Sequence, residues 1–211
     1  MNNQALCKIC SNKTTFQFSR RDRNNDNICL AFCVRCFYVF QYKDDYRYIY
    51  TSGEFSKSAR SGELSPNKER VDNLELSAFY RMSLYHKYLY RSKSVLEVGS
   101  SIGQFVNIAR NIGIDSDGVE PDGKYASFSK KQYGFDQCNS LFESYLPQKK
   151  YDSIVTFQVL EHIKDPMDFI RKAYEILDYS GRLLIEVPSF DLHKSGNFKR
   201  FFWLPHLHYF S

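Results

Sequence analysis

The sequence lacks any run of apolar residues long enough to cross a lipid bilayer. Its first four residues, Met1 to Gln4, have neither the basic nor the apolar stretch of a secretion signal. Internal repeats and low-complexity tracts are not evident either. From these absences we expect a soluble, cytoplasmic protein with no membrane span.

The chain is long enough for one ordinary domain and a smaller module. Its 211 residues, 43% of them hydrophobic, are sufficient to bury a real core. The pattern predicts a small cysteine-containing module at 1–50, a connector and linking helix at 51–92, and a larger domain at 93–211.

The net charge is concentrated in the first part of the chain. Residues 1–92 hold 15 Lys and Arg against 9 Asp and Glu, a charge of +6, whereas 93–211 hold 14 against 15, a charge of −1. A basic excess of this size is compatible with an anionic partner such as nucleic acid or a nucleotide diphosphate, but it is more often a solvated surface. We favour the solvated surface.

Four of the six cysteines form two Cys-x2-Cys pairs, Cys7 with Cys10 and Cys33 with Cys36. Without a secretion signal, this spacing favours metal binding over disulfides. Four thiolates suit a structural zinc ribbon and leave no open position for catalysis. The alternative is four reduced cysteines packed as small apolar residues. The other two, Cys29 and Cys138, are expected to be buried thiols.

Helix and strand signals alternate through the rest of the chain. Ser65-Pro66 is typical of a helix start, and apolar residues at helical spacing extend that helix to about Tyr90. Asp165 and Gly181 are predicted to bracket the last helix. Beyond Ser94 the strands are predicted at Val95–Val98, Ser116–Val119, Tyr151–Phe157 and Arg182–Val187. Helices are predicted near Gln104–Asn111, Gly123–Tyr133 and Pro166–Leu177. This alternation predicts an α/β fold with a parallel sheet.

A glycine-containing turn follows the first of these strands, with the spacing Glu97-x-Gly99-x3-Gly103. Glycines let the backbone turn tightly and let a ligand approach closely. The dinucleotide fingerprint G-x-G-x-x-G is not met. The next strand ends in Gly118-Val119-Glu120, whose carboxylate can accept hydrogen bonds from both ribose hydroxyls of a nucleoside.

From Ser94 to its end the sequence resembles the class I S-adenosylmethionine-dependent methyltransferases, which have a Rossmann-like sheet. The resemblance implies that Glu97, Gly99 and Gly103 hold the methionine end of the cofactor and that Glu120 holds its ribose. It also places two further residues at the cofactor: Ser101, where the family usually has its middle glycine, and Phe157, at the end of the predicted strand Tyr151–Phe157.

A cysteine-pair module ahead of such a domain resembles bacterial methyltransferases of sugar and polysaccharide biosynthesis, including deoxysugar C-methyltransferases. This implies a small-molecule acceptor, a sugar or sugar nucleotide. In C-methylating members the histidine matching His206 is a base, but its companion tyrosine and glutamate fall at Trp203 and Pro205 here. O-methylation therefore stands beside C-methylation. His162 is a second candidate base, with an equal alternative of hydrogen-bonding its own loop.

Other functions remain open at this stage. A zinc module and a basic first half are compatible with an RNA methyltransferase, although Gln158-Val159-Leu160-Glu161-His162 replaces the Pro-Pro-Tyr type motif of enzymes that methylate exocyclic base nitrogens. Another small-molecule methyltransferase or a non-catalytic scaffold that binds S-adenosylmethionine and zinc are further alternatives. The family usually continues with a helix and two strands beyond the segment that ends at Ser211, so we expect either a fragment or a shortened sheet. A shortened sheet would have an exposed edge, which predicts aggregation or pairing with another chain, as in a homo-oligomer.

Overall fold

The computed structural model describes residues 5–13, 16–43, 66–189 and 202–210. Ser65 and Ser211 fall outside these ranges, as does most of the predicted connector. Within the described part of the chain, no helix combines the length and the apolar character needed to span a membrane.

The chain forms two compact units. The first comprises residues 1–47, 158–170 and 186–211, and the second comprises residues 48–157 and 171–185. Each unit is discontinuous in sequence. The predicted division at residues 50 and 92 stays a prediction.

The main sheet contains four strands: β4 (Ser94–Val98), β5 (Asp115–Val119), β6 (Tyr151–Phe157) and β7 (Leu177–Glu186). Their order is β5-β4-β6-β7, and β4 runs parallel to both of its neighbours. The predicted α/β fold with a parallel sheet is confirmed. Because β4 is central, the turn that follows it lies at the point where chain connections leave in opposite directions, which is where open α/β sheets bind ligands.

Among the described residues, four α-helices accompany the strands: α1 (Lys68–Leu89), α2 (Gln104–Asn111), α3 (Gly123–Tyr133) and α4 (Pro166–Ile176). Short 3-10 turns occupy Phe142–Ser144 and Leu160–His162. The predicted start of α1 at Ser65-Pro66 is two residues early, because the Asn67 side chain caps the helix by accepting from the Arg70 amide at 2.8 Å.

The two ends of α4 differ in how well the sequence predicts them. The Asp165 carboxylate accepts from the amides of Met167 and Asp168, both at 3.0 Å, as expected of an N-cap. Gly181 does not end the helix, because β7 begins at Leu177 and includes it. A Cβ at Gly181 would lie 2.9 Å from the Asp178 carbonyl oxygen, so close backbone approach explains this glycine.

An apolar cluster of helix and sheet residues forms the core of the second unit. Phe105 and Ala109 on α2 pack with Val95 on β4 and Val155 on β6, all 1% exposed or less. Burial of this kind stabilises the fold by roughly 1.5–3 kcal/mol for each large side chain. The core therefore fixes both elements that flank the turn between β4 and α2.

The first unit contains an antiparallel sheet of β1 (Phe16–Arg21), β2 (Asn27–Cys33), β3 (Tyr38–Gln41) and β8 (His208–Tyr209). Strand β8 pairs with β3 through Val39 with Tyr209 and Phe40 with His208. The side-chain Nε2 of Gln41 donates to the carbonyls of Leu204 and His206, at 2.8 and 2.7 Å. Residues near the end of the chain thus complete a sheet built near its start.

Candidate functional site

The turn after β4 has the backbone conformation that its glycines allow. Gly99 and Gly103 have φ of 76° and 81°, and Ser101 between them has φ of 54°. A Cβ at Gly103 would lie 2.9 Å from Phe135 Cζ, so no larger residue fits there without a shift. Ser101 stands in the left-handed region that favours glycine, at the position where the family usually has one.

Glu97 lies in β4 just before this turn, with 3% of its surface exposed. The pKa of this carboxyl is raised to about 8, mainly by burial and also by the nearby Glu120, although the charge of Arg81 and the Val106 amide act to lower it. The Glu97 Oε2 atom is buried and has no hydrogen-bond partner within the described ranges. Such an acceptor is suited to a cationic or hydrogen-donating ligand group.

Glu120 follows the end of β5 and is fixed by the backbone around it. Its Oε2 accepts from the Ser101 amide at 2.8 Å, and its Oε1 accepts from the Asp122 amide at 3.0 Å. The Glu120 amide donates to the Cys138 carbonyl at 3.0 Å. The carboxylate is therefore held directly against the glycine-containing turn.

Two further buried polar atoms lie after the end of β4 and near the end of β6. Gln104 Oε1, in the first residue of α2, and Thr156 Oγ1, near the end of β6, are buried without a hydrogen-bond partner among the residues described. The sequence interpretation missed both. The available signal for Gln104 was a polar residue that directly follows a ligand-binding turn.

Phe157 lies inside the apolar cluster. Its ring stacks on Tyr85 at 5.9 Å and meets Phe105 edge-on at 5.0 Å, and the Arg81 guanidinium lies 4.7 Å from its centroid. Its contribution to a cofactor site stays a prediction.

The four paired cysteines come together in the first unit. All four Sγ atoms of Cys7, Cys10, Cys33 and Cys36 lie within 4.8 Å of one another, and the Cys10 and Cys33 sulfurs are 3.6 Å apart. Four sulfurs about 2.3 Å from one zinc ion would be about 3.8 Å apart, so the donor set fits Zn²⁺.

Both cysteine pairs are followed by a residue in the left-handed region, Ser11 with φ of 56° and Phe37 with φ of 53°. The same strained turn therefore occurs twice in the same relation to a cysteine pair. Strain of this kind persists where the surroundings require it, and a four-thiolate site supplies such a requirement. The two remaining cysteines lie outside the cluster, and the expectation of burial is wrong for Cys138, which is exposed.

The two candidate bases also meet in the first unit. The rings of His162 and His206 have centroids 4.8 Å apart, and the Trp203 ring lies edge-on to both, at 5.9 and 5.0 Å. Burial lowers the pKa of His162 to about 4 and that of His206 to about 2. Both rings are therefore neutral near pH 7.

His162 hydrogen-bonds a segment that is remote in sequence, so the expected bond to its own loop stays a prediction. Its Nδ1 lies 2.9 Å from the Pro205 carbonyl oxygen, and its Nε2 lies 3.8 Å from Glu161 Oε1. The sequence interpretation did not single out Glu161, which is 1% exposed. A carboxylate directly before a candidate histidine was the signal that could have identified it.

His208 is a packing residue beside this cluster. It is 1% exposed, and its two ring nitrogens hydrogen-bond the Tyr38 hydroxyl and the Ile163 carbonyl. Both nitrogens are used in holding β8 in place.

A protein-family model described as a methyltransferase domain matches residues 73–211, which is more than half of the chain. The chain belongs to this methyltransferase domain family. Among curated proteins none matches it.

Solved structures share the methyltransferase fold. A S-adenosylmethionine-dependent methyltransferase from Archaeoglobus fulgidus is 23% identical with a TM-score of 0.50, covering 69% of this chain and 60% of its own. The plantazolicin methyltransferase BpumL, in complex with a triazolic desmethylPZN analog and SAH, is 15% identical with a TM-score of 0.51, covering 72% and 64%. The sugar N-methyltransferase KedS8 from Streptoalloteichus has 12% identity and a TM-score of 0.48, covering 64% and 53%. This chain spans about 60% of the length of the first solved chains that it matches.

The residues of the second unit fit the methyl donor of such a fold. Glu97 Oε2 offers a buried acceptor to an ammonium group, and each Glu120 carboxylate oxygen, which accepts one backbone hydrogen bond, can accept a second from a hydroxyl. The positive φ values of Gly99 and Gly103 bring the backbone between them close to any ligand at this edge. The assignment of these residues to the cofactor stays a prediction.

Proposed function

We propose that this protein transfers the methyl group of S-adenosylmethionine to a hydroxyl or carbon of a sugar or sugar nucleotide. The observation that carries the proposal is the buried Glu97 carboxyl, whose Oε2 has no hydrogen-bond partner among the described residues, beside the turn that contains Gly99 and Gly103. Membership of the methyltransferase domain family supports the reaction type. The sugar class rests on the sequence resemblance of the cysteine-pair module.

The residues of the second unit act on the donor by binding and orientation. When bound, S-adenosylmethionine supplies a methyl group on a sulfonium centre that is open to in-line displacement. Glu97 would pair with the ammonium of its methionine end, and Glu120 would accept hydrogen bonds from its ribose hydroxyls. Holding donor and acceptor in line accounts for much of the catalysis in such a reaction, because it removes the entropy of bringing them together.

The acceptor must lose a proton during transfer to a hydroxyl. Such a transfer would break the sulfonium–methyl bond and form a methyl–oxygen bond, with S-adenosylhomocysteine as the leaving group and the acceptor proton taken by a base. For a carbon acceptor the new bond is to carbon and the proton leaves that carbon. His206 and His162 stay our predictions for the base. Both rings are neutral and have nitrogen lone pairs, but their lowered pKa values make each a weak base near pH 7.

We also propose that Cys7, Cys10, Cys33 and Cys36 hold a structural zinc ion. The clustering of their four sulfurs within 4.8 Å supports it. The closed thiolate set gives the ion a folding role with no step in methyl transfer.

Transfer of labelled methyl groups tests the function directly. Purified protein is incubated with methyl-labelled S-adenosylmethionine and separate pools of sugar nucleotides, peptides and RNA, followed by mass spectrometry. We expect label in a sugar nucleotide, with at least about tenfold less in Glu97→Gln than in the matched variant Glu143→Gln, which changes an exposed glutamate in a 3-10 turn. Label in RNA or peptide alone would overturn the sugar acceptor. Binding without transfer to any pool would favour the scaffold.

A further inference from the structure

Three side chains of the first unit present potential metal ligands to one another. One ligand atom each from Glu161, His162 and His206 lies within 4.8 Å of the others. We propose that these residues form a second divalent-cation site, with Zn²⁺ as its cation. Two histidines and one glutamate are a set that holds catalytic zinc in proteins, and it leaves a coordination position open. The cysteine cluster leaves none.

The orientation of His162 supports the site. A carbonyl oxygen only accepts, so the 2.9 Å contact with Pro205 places the hydrogen of the neutral ring on Nδ1. The lone pair is then on Nε2, which lies 3.8 Å from Glu161 Oε1. A cation between these two electron-rich atoms stabilises both. Histidines that bind metals donate their other N–H to a carbonyl or carboxylate in this way.

The cluster must contract to hold a tetrahedral ion. Two ligands about 2.1 Å from zinc are then about 3.4 Å apart, compared with 3.8 Å between His162 Nε2 and Glu161 Oε1 and a limit of 4.8 Å for the whole cluster. The backbone already ties the two segments together, because the Leu207 amide donates to the Glu161 carbonyl at 2.7 Å. The His206 amide donates to the Trp203 carbonyl at 2.9 Å. The three ligands are therefore held on connected turns.

Nearby charged groups include one that opposes cation binding and one that favours it. The Arg23 guanidinium lies 3.9 Å from the centroid of the Trp203 ring, and its charge lowers the pKa of both histidines. It opposes a cation, whereas the buried carboxyl of Glu161 attracts one. Neutral imidazoles favour a first-row metal such as zinc over magnesium, which prefers oxygen ligands.

The site stands whether or not the proposed methyl transfer is correct. A nitrogen that ligates a cation does not take a proton, so metal binding and action as a base are alternative roles for the same atom. An open zinc position would instead bind an oxygen of water or of an acceptor.

The single tryptophan of the chain makes the site measurable. Trp203 lies 5.0 Å from the His206 ring and 5.9 Å from the His162 ring, so paramagnetic Co²⁺ bound there should quench its fluorescence. The full chain, free of any purification tag, is stripped of metal at the second site and titrated with Co²⁺ and then with competing Zn²⁺. We expect saturable quenching that Zn²⁺ reverses.

Variants separate this site from the cysteine cluster. Glu161→Gln and His206→Gln should each raise the Co²⁺ concentration at half-quenching at least about 100-fold, since even groups that only support metal ligands contribute 10–100-fold. His86→Gln, which changes an exposed histidine of α1, should leave the titration unchanged, as should Cys10→Ser if its far-ultraviolet circular dichroism is native.

Zinc content gives a second measure that does not rely on fluorescence. Wild-type protein should hold one zinc ion more than His206→Gln. Unchanged quenching and unchanged zinc content in natively folded Glu161→Gln and His206→Gln would overturn the site. Absence of quenching in the wild type would overturn it as well.

Discussion

The two sheets of this protein are stabilised in different ways. The parallel sheet has a contiguous apolar core, in which Val95, Phe105 and Val155 are each 1% exposed or less. The antiparallel sheet packs Cys7 and Cys33 beside Tyr38 and Phe40, so part of its core is sulfur. The parallel sheet can be stable through burial alone, whereas the antiparallel sheet gains stability from an ion that joins its sulfurs.

This difference also affects how each sheet positions its candidate functional residues. In the parallel sheet the polar groups at strand ends, such as Glu97 and Glu120, are positioned by a core that does not depend on them. In the antiparallel sheet the potential ligands are themselves core residues. Loss of a ligand there should therefore change both binding and folding.

The largest expected effect is on the cysteine cluster. Cys33→Ser removes one of four sulfurs, and we expect loss of zinc and of amide protection in β1 to β3, because structural zinc binding contributes on the order of 10 kcal/mol. Metal analysis and hydrogen exchange measure these changes. Cys29→Ser, on the same strand but outside the cluster, is the matched control and should retain both. Equal zinc content in the two variants would contradict the proposal that a zinc ion bound by the four cysteines stabilises the antiparallel sheet.

A cavity in the apolar core of the parallel sheet should lower the free energy of unfolding. Phe105→Ala removes a buried ring and should lower the free energy of unfolding by about 3–5 kcal/mol. Phe79→Ala, at a ring that is 59% exposed on α1, should change it by less than about 0.5 kcal/mol. Urea denaturation followed by circular dichroism measures both. Similar losses for the two variants would show that this core is not what stabilises the sheet.

Donor binding should depend on pH through Glu97. Burial raises the pKa of this carboxyl to about 8 in the free protein, so it is mostly protonated at pH 6. A cationic ligand favours the carboxylate and lowers that pKa, so binding releases a proton. The affinity should then rise with pH, up to about tenfold per unit, between about pH 6 and pH 8 and level off above. Calorimetry in several buffers measures it.

The matching variant for this pH dependence is Glu97→Gln, which keeps the shape of the side chain and removes its titration. Its residual affinity should show a flat profile over the same range. A wild-type affinity that falls between pH 6 and pH 8 would contradict the role of Glu97.

The smallest expected effect is at Ser101. Its φ of 54° favours glycine, so Ser101→Gly should raise the free energy of unfolding by up to about 1 kcal/mol. Ser127→Gly within α3 should lower it, because glycine destabilises a helix interior. Thermal unfolding distinguishes the two. A loss of stability in Ser101→Gly would show that the serine side chain is needed in the turn.

Local patterns predicted the parallel sheet well because its elements are continuous in sequence. Strand β6 and helices α2 and α3 have the predicted bounds, and the Asp165 cap is found where expected. Strand β8 was not predicted, because it is two residues long and depends on pairing with β3 far away in the sequence. No local periodicity records such a pairing.

The same distinction applies to the candidate sites. The spacing of Cys7, Cys10, Cys33 and Cys36 predicts their clustering, because each pair forms one turn. The meeting of Glu161 and His162 with His206 requires two segments to pack together, so only the structure reveals it. Gln104 and Thr156 were missed because an amide and a hydroxyl carry no motif of their own.

The measurement that tests the central claim most directly is calorimetric binding of S-adenosylmethionine to the full chain at pH 8. We expect one molecule bound per chain, with affinity at least about tenfold weaker in Glu97→Gln and in Glu120→Gln than in the control Glu143→Gln. Absence of binding to natively folded wild-type protein, or equal affinity in all three variants, would contradict a donor site at the ends of β4 and β5.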